Sequence, residues 1–233
     1  MIYLFTSNRR SIRNISAADF AYQSIKEKIL TADLKPEEPI VEEGLAEQLD
    51  ISRTPLREAL QRLEMEELVV RKLNGRLKVA PISVQEVEEL FTIRSLLEGV
   101  VVSQAAKSST ENHLRHLNRI MNMFEMAIES DDIDEVLYLG GQFHSYIYEM
   151  SGNKTAIKIL YQLNDHIHRY RRFVPKNISN QQNSLIEHKE IIKCIKEQNS
   201  LKAKQAMESH IMNSLDMVIA ALENRKKDDE YAE

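Results

Sequence analysis

Residues 45–60 read Leu45-Ala46-Glu47-Gln48-Leu49-Asp50-Ile51-Ser52-Arg53-Thr54-Pro55-Leu56-Arg57-Glu58-Ala59-Leu60. Asp50, Ile51 and Ser52 separate two short helical runs. Ser52 can cap the second run, and Pro55 is tolerated in its first turn, where an amide would have no helical partner anyway. Leu56, Leu60 and Leu63 recur at i, i+4 and i+7, which lines them along one core-facing side. Arg57 stands about 100° from Leu56, on the shoulder of that side. Arg53 and Thr54 project from the N-terminal turn. That is the end by which a recognition helix enters the major groove, its first residues meeting base edges. An arginine fork can pair both acceptors of a guanine, and Thr54 with the first helical amides suits a phosphate. Solvated arginines on a surface helix are the plain alternative, and the flanking chain decides between the two.

Upstream, Ser16 with Asp19 resembles a capping box for a helix over 17–32, with Phe20, Ile25, Ile29 and Leu30 facing a core. Pro36 and Pro39 break the chain before a second helix over 41–49, and the third runs from the Ser52 cap to about Glu66. Downstream, Leu68, Val69 and Val70, then Asn74-Gly75, then Leu77, Val79 and Ala80 read as a β-hairpin. Three helices followed by a hairpin is the order of a winged helix-turn-helix, placed at residues 1–80. Charge agrees. Residues 52–78 carry seven basic and four acidic side chains within a chain of net charge −5, so positive charge is concentrated where a specific DNA reader would need it.

The run Ser52–Leu60 resembles the hallmark of the GntR family of bacterial regulators, differing only in having Leu56 where that hallmark has valine. The likeness extends over about residues 20–80, including Pro36 and the wing tip at Gly75. One departure is Glu37, where many members carry glycine. The resemblance implies that Arg53, Thr54 and Arg57 contact DNA and that the wing around Gly75 reaches the minor groove. Arg76 at the wing tip is a further candidate from its position and charge.

The rest of the composition narrows the class. A single cysteine, Cys194, excludes a disulfide framework and a cysteine-rich zinc site and fits a reducing compartment. The opening MIYLF is followed at once by Ser7, Asn8, Arg9 and Arg10, and no run is long enough for a membrane span. A cytoplasmic protein is the expectation. Pro81 and Ile82 read as a linker, and residues 81–233 as an all-α domain of six helices, roughly 84–107, 111–129, 133–150, 154–173, 180–198 and 201–224. Ser108–Thr110, Asp131-Asp132, Ser151–Asn153, Pro175 and Asn199-Ser200 punctuate them. A charged tail after Asn224 reads as frayed.

His144, His188 and His210 fall on three separate predicted helices. Neutral imidazoles are common ligands for zinc and similar metals, and three in a bundle can meet at one ion. Scattered histidines are more often surface or core residues, so spacing alone leaves both readings open. The C-terminal half is similar to the FCD ligand-binding domain of FadR-type GntR regulators. The likeness rests on Arg94 with Glu98 in LFTIRSLLEG, Phe143-His144, Ser151-Gly152-Asn153, Glu187-His188 and Ser209-His210. It covers most of residues 84–222, and the six-helix count resembles the smaller VanR-type branch. Many FCD domains hold a divalent metal through these three histidines and an aspartate one turn before the first. That position is Gly140 here. The implied cofactor is a divalent metal, zinc by default with nickel or manganese as alternatives. Its fourth ligand is water or the effector's own carboxylate, unless the site is decaying. Arg94 is either a fork for an organic-acid effector or a salt-bridge partner of Glu98. Arg169, Arg171 and Arg172 read as a solvated face.

The resulting expectation is a homodimeric DNA-binding regulator rather than an enzyme. It would act as a repressor on a pseudo-palindromic double-stranded operator and answer to a small organic acid, with no membrane partner. Two other classes stay in view: a metal-dependent hydrolase on the helical domain, and a DNA-bound adaptor without an effector.

Overall fold

The computed structural model describes residues 15–171 and 178–231. They separate between Ser83 and Val84 into two compact units, directly after the Pro81–Ile82 linker.

The first unit holds α1 (Ala17–Leu30), α2 (Glu42–Leu49), α3 (Arg53–Met65), β1 (Val69–Arg71) and β2 (Leu77–Val79). Ser16 caps α1 by accepting the Asp19 amide at 3.0 Å. Its core gathers Ile25 and Ile29 from α1, Leu45 from α2, Leu56, Leu60 and Leu63 from α3, and Val69, Leu77 and Val79 from the hairpin. Phe20, expected in this core, is 46% exposed, while Ala21 is buried. The buried stripe of α1 is Ala21, Ile25 and Ile29, so helical phase prevails over the size of the neighbouring ring. α2 ends at Asp50 in the left-handed conformation, φ 51°, with the Ile51 amide returning to the Ala46 carbonyl at 3.1 Å. This tight reversal sets α3 across α2.

Beyond its leucines, the later turns of α3 are tied to α1 by polar contacts. Tyr22 Oη and Lys26 Nζ donate to Glu66 at 2.6 and 2.7 Å. Arg62 pairs with Asp19 at 2.6 Å and lies 3.9 Å over the Tyr22 ring. The N-terminal turn of α3 is left outside that clasp. Glu37 adopts φ 68°. That is the left-handed region glycine enters freely, and Glu37 holds it with a Cβ, at a steric cost.

The strands pair antiparallel with Val69 opposite Val79 and Arg71 opposite Leu77. Asn74-Gly75 are not the two central residues of a tight turn, as expected. The Gly75 amide bonds the Lys72 carbonyl at 2.8 Å, and Gly75 follows at φ 79°, so Leu73 and Asn74 occupy the corners and Gly75 supplies the left-handed step after them. Pro39 adds an isolated bridge to Lys78.

The second unit is all helix: α4 (Val84–Lys107), α5 (Glu111–Glu129), α6 (Ile133–Ser151), α7 (Lys154–Arg171), α8 (Ile178–Lys196) and α9 (Ser200–Tyr231). Winged helix-turn-helix followed by an all-α bundle is the fold class read from the sequence. α4 is the central rod, packed on α6, α7, α8 and α9, while α5 packs on α6 and α8. The Tyr170 hydroxyl donates to Glu86 at 2.6 Å and fastens α7 to the start of α4. Two expectations fail here. Arg169 is buried rather than solvated. α9 continues to Tyr231 instead of fraying after Asn224. The Arg171 side chain, Arg172 and the expected break at Pro175 lie outside the described residues. Among the described residues, no helix is long and apolar enough to cross a membrane.

Candidate functional site

On the first unit, Arg53, Thr54 and Arg57 are all exposed at the start of α3. Ser52 occupies the cap position without a side-chain cap bond. Each arginine is held by a carboxylate of α2: Arg53 Nη2 lies 2.6 Å from Glu43, and Arg57 Nε lies 2.8 Å from Glu42. These pairs are solvent-exposed and exchangeable. Arg71 ties the wing to α3, forking onto Glu64 at 3.0 and 2.7 Å and donating to the Gly75 carbonyl at 3.0 Å. Gly75 and Arg76 stand exposed at the tip. Sequence reasoning passed over Arg71, Glu42 and Glu43, none of which lies in the α3 run.

On the second unit, His144 of α6, His188 of α8 and His210 of α9 are all buried and their rings converge. His210 Nε2 lies 3.3 Å from His144 Nε2 and 3.2 Å from His188 Nε2. Tetrahedral nitrogen ligands at zinc distance stand roughly 3.3 Å apart from one another. The ring of Phe143 leans on His188 with centroids 4.2 Å apart, and Phe124 meets it edge-on at 5.5 Å.

Two carboxylates orient the rings. Glu98, fully buried on α4, faces His144 Nδ1 at 2.6 Å with Oε2, while Oε1 accepts Arg94 Nε and the Tyr148 hydroxyl, each at 2.6 Å. Burial alone would raise the Glu98 pKa, but the Arg94 charge and the hydrogen bonds from His144 and Tyr148 hold it far below the usual carboxylate range. Glu98 is thus an acceptor only, and a neutral His144 facing it donates its Nδ1–H and keeps a lone pair on Nε2. Burial and the Glu98 charge push the Tyr148 hydroxyl well above its ordinary pKa, keeping it a donor. Glu187 does for His210 what Glu98 does for His144, reaching Nδ1 at 2.6 Å while accepting Asn213 at 2.6 Å. Burial raises the Glu187 pKa against the bond from Asn213.

Ligand lone pairs turned toward one point at 3.2–3.3 Å repel unless a proton or a cation lies among them. The residues present therefore fit a metal: three converging imidazoles, two of them backed by carboxylates, as metal-binding histidines usually are. Gly140 lies one turn before His144 on α6. A Cβ there would meet only Phe124 Cε2, at 3.5 Å. Arg94 forms the salt bridge with Glu98, and its Nη1 makes no hydrogen bond. A cleft of about 320 Å³ between α8 and α9 has Glu187 and Asn213 in its wall, so a solvent-facing cavity touches the residue that orients His210. Sequence reasoning named Glu98 only as a partner of Arg94 and gave Tyr148 no role. The signal was there: Arg94 and Glu98 are one turn apart on α4, as are His144 and Tyr148 on α6.

Residues 17–79 match the family described as bacterial regulatory proteins, gntR family, and residues 89–213 match the FCD domain. The chain is a GntR-family regulator with a C-terminal FCD domain. GntR regulators are DNA-binding transcription factors, not enzymes, which removes the hydrolase reading. The HTH-type transcriptional regulator YdhC of Bacillus subtilis is 28% identical over 207 residues, 88% of this chain and 92% of that one. The transcriptional repressor RspR of Escherichia coli is 23% identical over 82% of this chain and 83% of its own. Among solved structures, McbR/YncC of Escherichia coli superposes with a TM-score of 0.74 at 20% identity, covering 89% of this chain and 99% of that one. That likeness supports the fold.

Proposed function

We propose that this GntR regulator is a homodimeric repressor whose hold on a pseudo-palindromic operator is set by a small carboxylate-bearing metabolite bound at a metal in the FCD domain. The observation carrying the sensor half is the convergence of the three imidazole Nε2 atoms, with Glu98 and Glu187 behind two of them. His144, His188 and His210 would hold the metal through Nε2, with zinc as default and nickel or manganese as alternatives. A bound divalent ion supplies positive charge and open coordination positions. The space beside Gly140 suits a carboxylate brought by the effector, with water as the other occupant. Arg94 keeps a buried donor, Nη1, that a carboxylate could take. The six helices of the second unit support placement in the VanR-type branch.

For the DNA half, the exposed start of α3 supports Arg53 and Arg57 as base readers and Thr54 as a phosphate contact. Gly75 and Arg76 would enter the minor groove. Operator DNA selected from a random pool tests this half, by its two-fold symmetry. A mobility shift on that DNA, repeated with metal-stripped and metal-loaded protein against a panel of organic acids, tests the sensor half. Asymmetric selected DNA would overturn the dimeric reading. A shift unchanged by every acid in loaded protein would favour a DNA-bound adaptor instead.

A further inference from the structure

The tip of the wing carries a side chain that the fold does not use. Leu73 is fully exposed (111%), and no other large hydrophobic among the described residues exceeds 72%. Single exposed leucines are ordinary on protein surfaces, but this one occupies a turn corner, a place that glycine and short polar residues usually fill. The turn is held without it. The Lys72 carbonyl accepts the Gly75 amide, and the Lys72 amide donates to the Arg76 carbonyl, both at 2.8 Å. Asn74 Oδ1 accepts the Arg76 amide at 3.1 Å. Arg71 donates to the Gly75 carbonyl while it forks onto Glu64 of α3. The apex is therefore fixed in shape and tied to the helix that carries Arg53 and Arg57. Its surroundings are positive, with no acidic residue from Leu68 to Gln85. Arg71 and Lys78 are occupied by Glu64 and Glu37. Lys72 and Arg76 face each other across the base of the turn, both exposed, and among the described residues neither side chain pairs with a carboxylate.

An aliphatic point flanked by two available cations fits a polyanion with an apolar interior, and duplex DNA is one: phosphates wall its grooves and stacked bases lie between them. We infer that Leu73 is a wedge: its isobutyl group enters the minor groove of the operator and parts one base step, with Lys72 on a flanking phosphate and Arg76 in the groove beside it. The inference rests on the reading above that the wing lies in the minor groove, and it names the residue that selects sequence there. Leucine offers a base edge no hydrogen bond. It reads stiffness instead. Parting a step costs stacking energy, least at the pyrimidine–purine steps TA and CA/TG, which kink readily. An apolar side chain driven between base pairs bends the duplex toward the major groove. The tie through Arg71 and Glu64 holds the kinked step at a constant offset from the bases that α3 meets.

DNA selected from a random pool with the full chain tests it. Wild-type selection should return a TA or CA/TG step at one set distance from the α3 contacts in each half-site. Energy transfer between dyes on the two ends of that duplex should report a bend of about 20° or more on binding. Leu73→Ala should melt with the wild type, since no packing is lost. It should also lose the bend, select no particular step there, and bind the wild-type operator about tenfold more weakly. Leu73→Met keeps an apolar wedge and should retain bend and preference. Replacing the step by a stiffer one should weaken wild type about as much, and Leu73→Ala hardly at all. Hydroxyl-radical cleavage reports the wing reading separately, through sugars protected along the minor groove at that step. Protected sugars on an unbent operator, or a Leu73→Ala complex bent like the wild type, would overturn the wedge and leave the wing in the groove. Unprotected sugars would overturn both.

Discussion

Arg57 and Arg94 show how differently two arginines one helix apart in role must be tested. Arg57 is two-thirds exposed and its partner Glu42 lies at the surface, so Arg57→Ala should leave melting and assembly unchanged. If Arg57 reads a guanine, its loss removes about 1–3 kcal/mol of discrimination per half-site, so selected operator should bind about tenfold or more weakly in a mobility shift while binding to random DNA changes little. Arg94 is buried against a buried carboxylate. Arg94→Ala strands the Glu98 charge and should cost about 3–5 kcal/mol of stability by denaturant unfolding. Arg94→Lys is the informative change: it keeps the charge, removes the fork, and should bind operator yet respond weakly to organic acids if Nη1 holds the effector. An unchanged response would make Arg94 a structural partner of Glu98 alone. Residue-level reading succeeded where partners share a helix, as with Arg94 and Glu98. It failed for Phe20, chosen for its size against the phase set by Ala21, Ile25 and Ile29.

Among elements, α6 carries two consecutive glycines, Gly140 and Gly141, in mid-helix. Each costs such a helix up to about 1 kcal/mol relative to alanine. Gly140→Asp would restore a carboxylate one turn before His144, on the same side, with room for its Cβ. We expect tighter divalent-metal binding by calorimetry, a modest rise in melting temperature, and a blunted response to any acid that occupies that space in the wild type. No metal in wild type and no gain in the variant would leave the three histidines as a buried polar cluster. Helix ends were legible wherever Ser, Thr, Asn or Gly punctuates them, as at Thr110, which caps α5 together with His113. The end of α9 was not, because Glu, Lys and Arg are themselves good helix formers and no Gly or Pro follows Ser200. The hairpin was legible in place but not in turn type, since an Asn-Gly pair suits either a two-residue turn or a left-handed step after a longer one.

For the whole molecule, the order of three helices, hairpin and six helices could be read from pattern, because each element announces its own period. Which helices face one another could not. His144 meets Glu98 across 46 positions of sequence, and only the packing of α4 against α6 makes that contact. If the triad holds a metal, ligand linkage at a hundredfold excess over the dissociation constant stabilises the fold by about 2.7 kcal/mol. Stripping it with a chelator should then lower the melting temperature by roughly 5–10 °C, reversed by zinc. Identical melting curves before and after chelation would argue against an occupied site. The pairs Arg53–Glu43 and Arg57–Glu42 act on a larger scale still. A chromosome presents on the order of a million or more wrong sites for every right one, and a regulator must leave each of them quickly. If Arg53 and Arg57 read bases, the head would meet random phosphate backbone with those charges partly neutralised by its own carboxylates and would leave it readily. Only a sequence offering a full set of base contacts would displace Glu42 and Glu43, so the same exposed pairs that add little to folding would shorten the search for the operator.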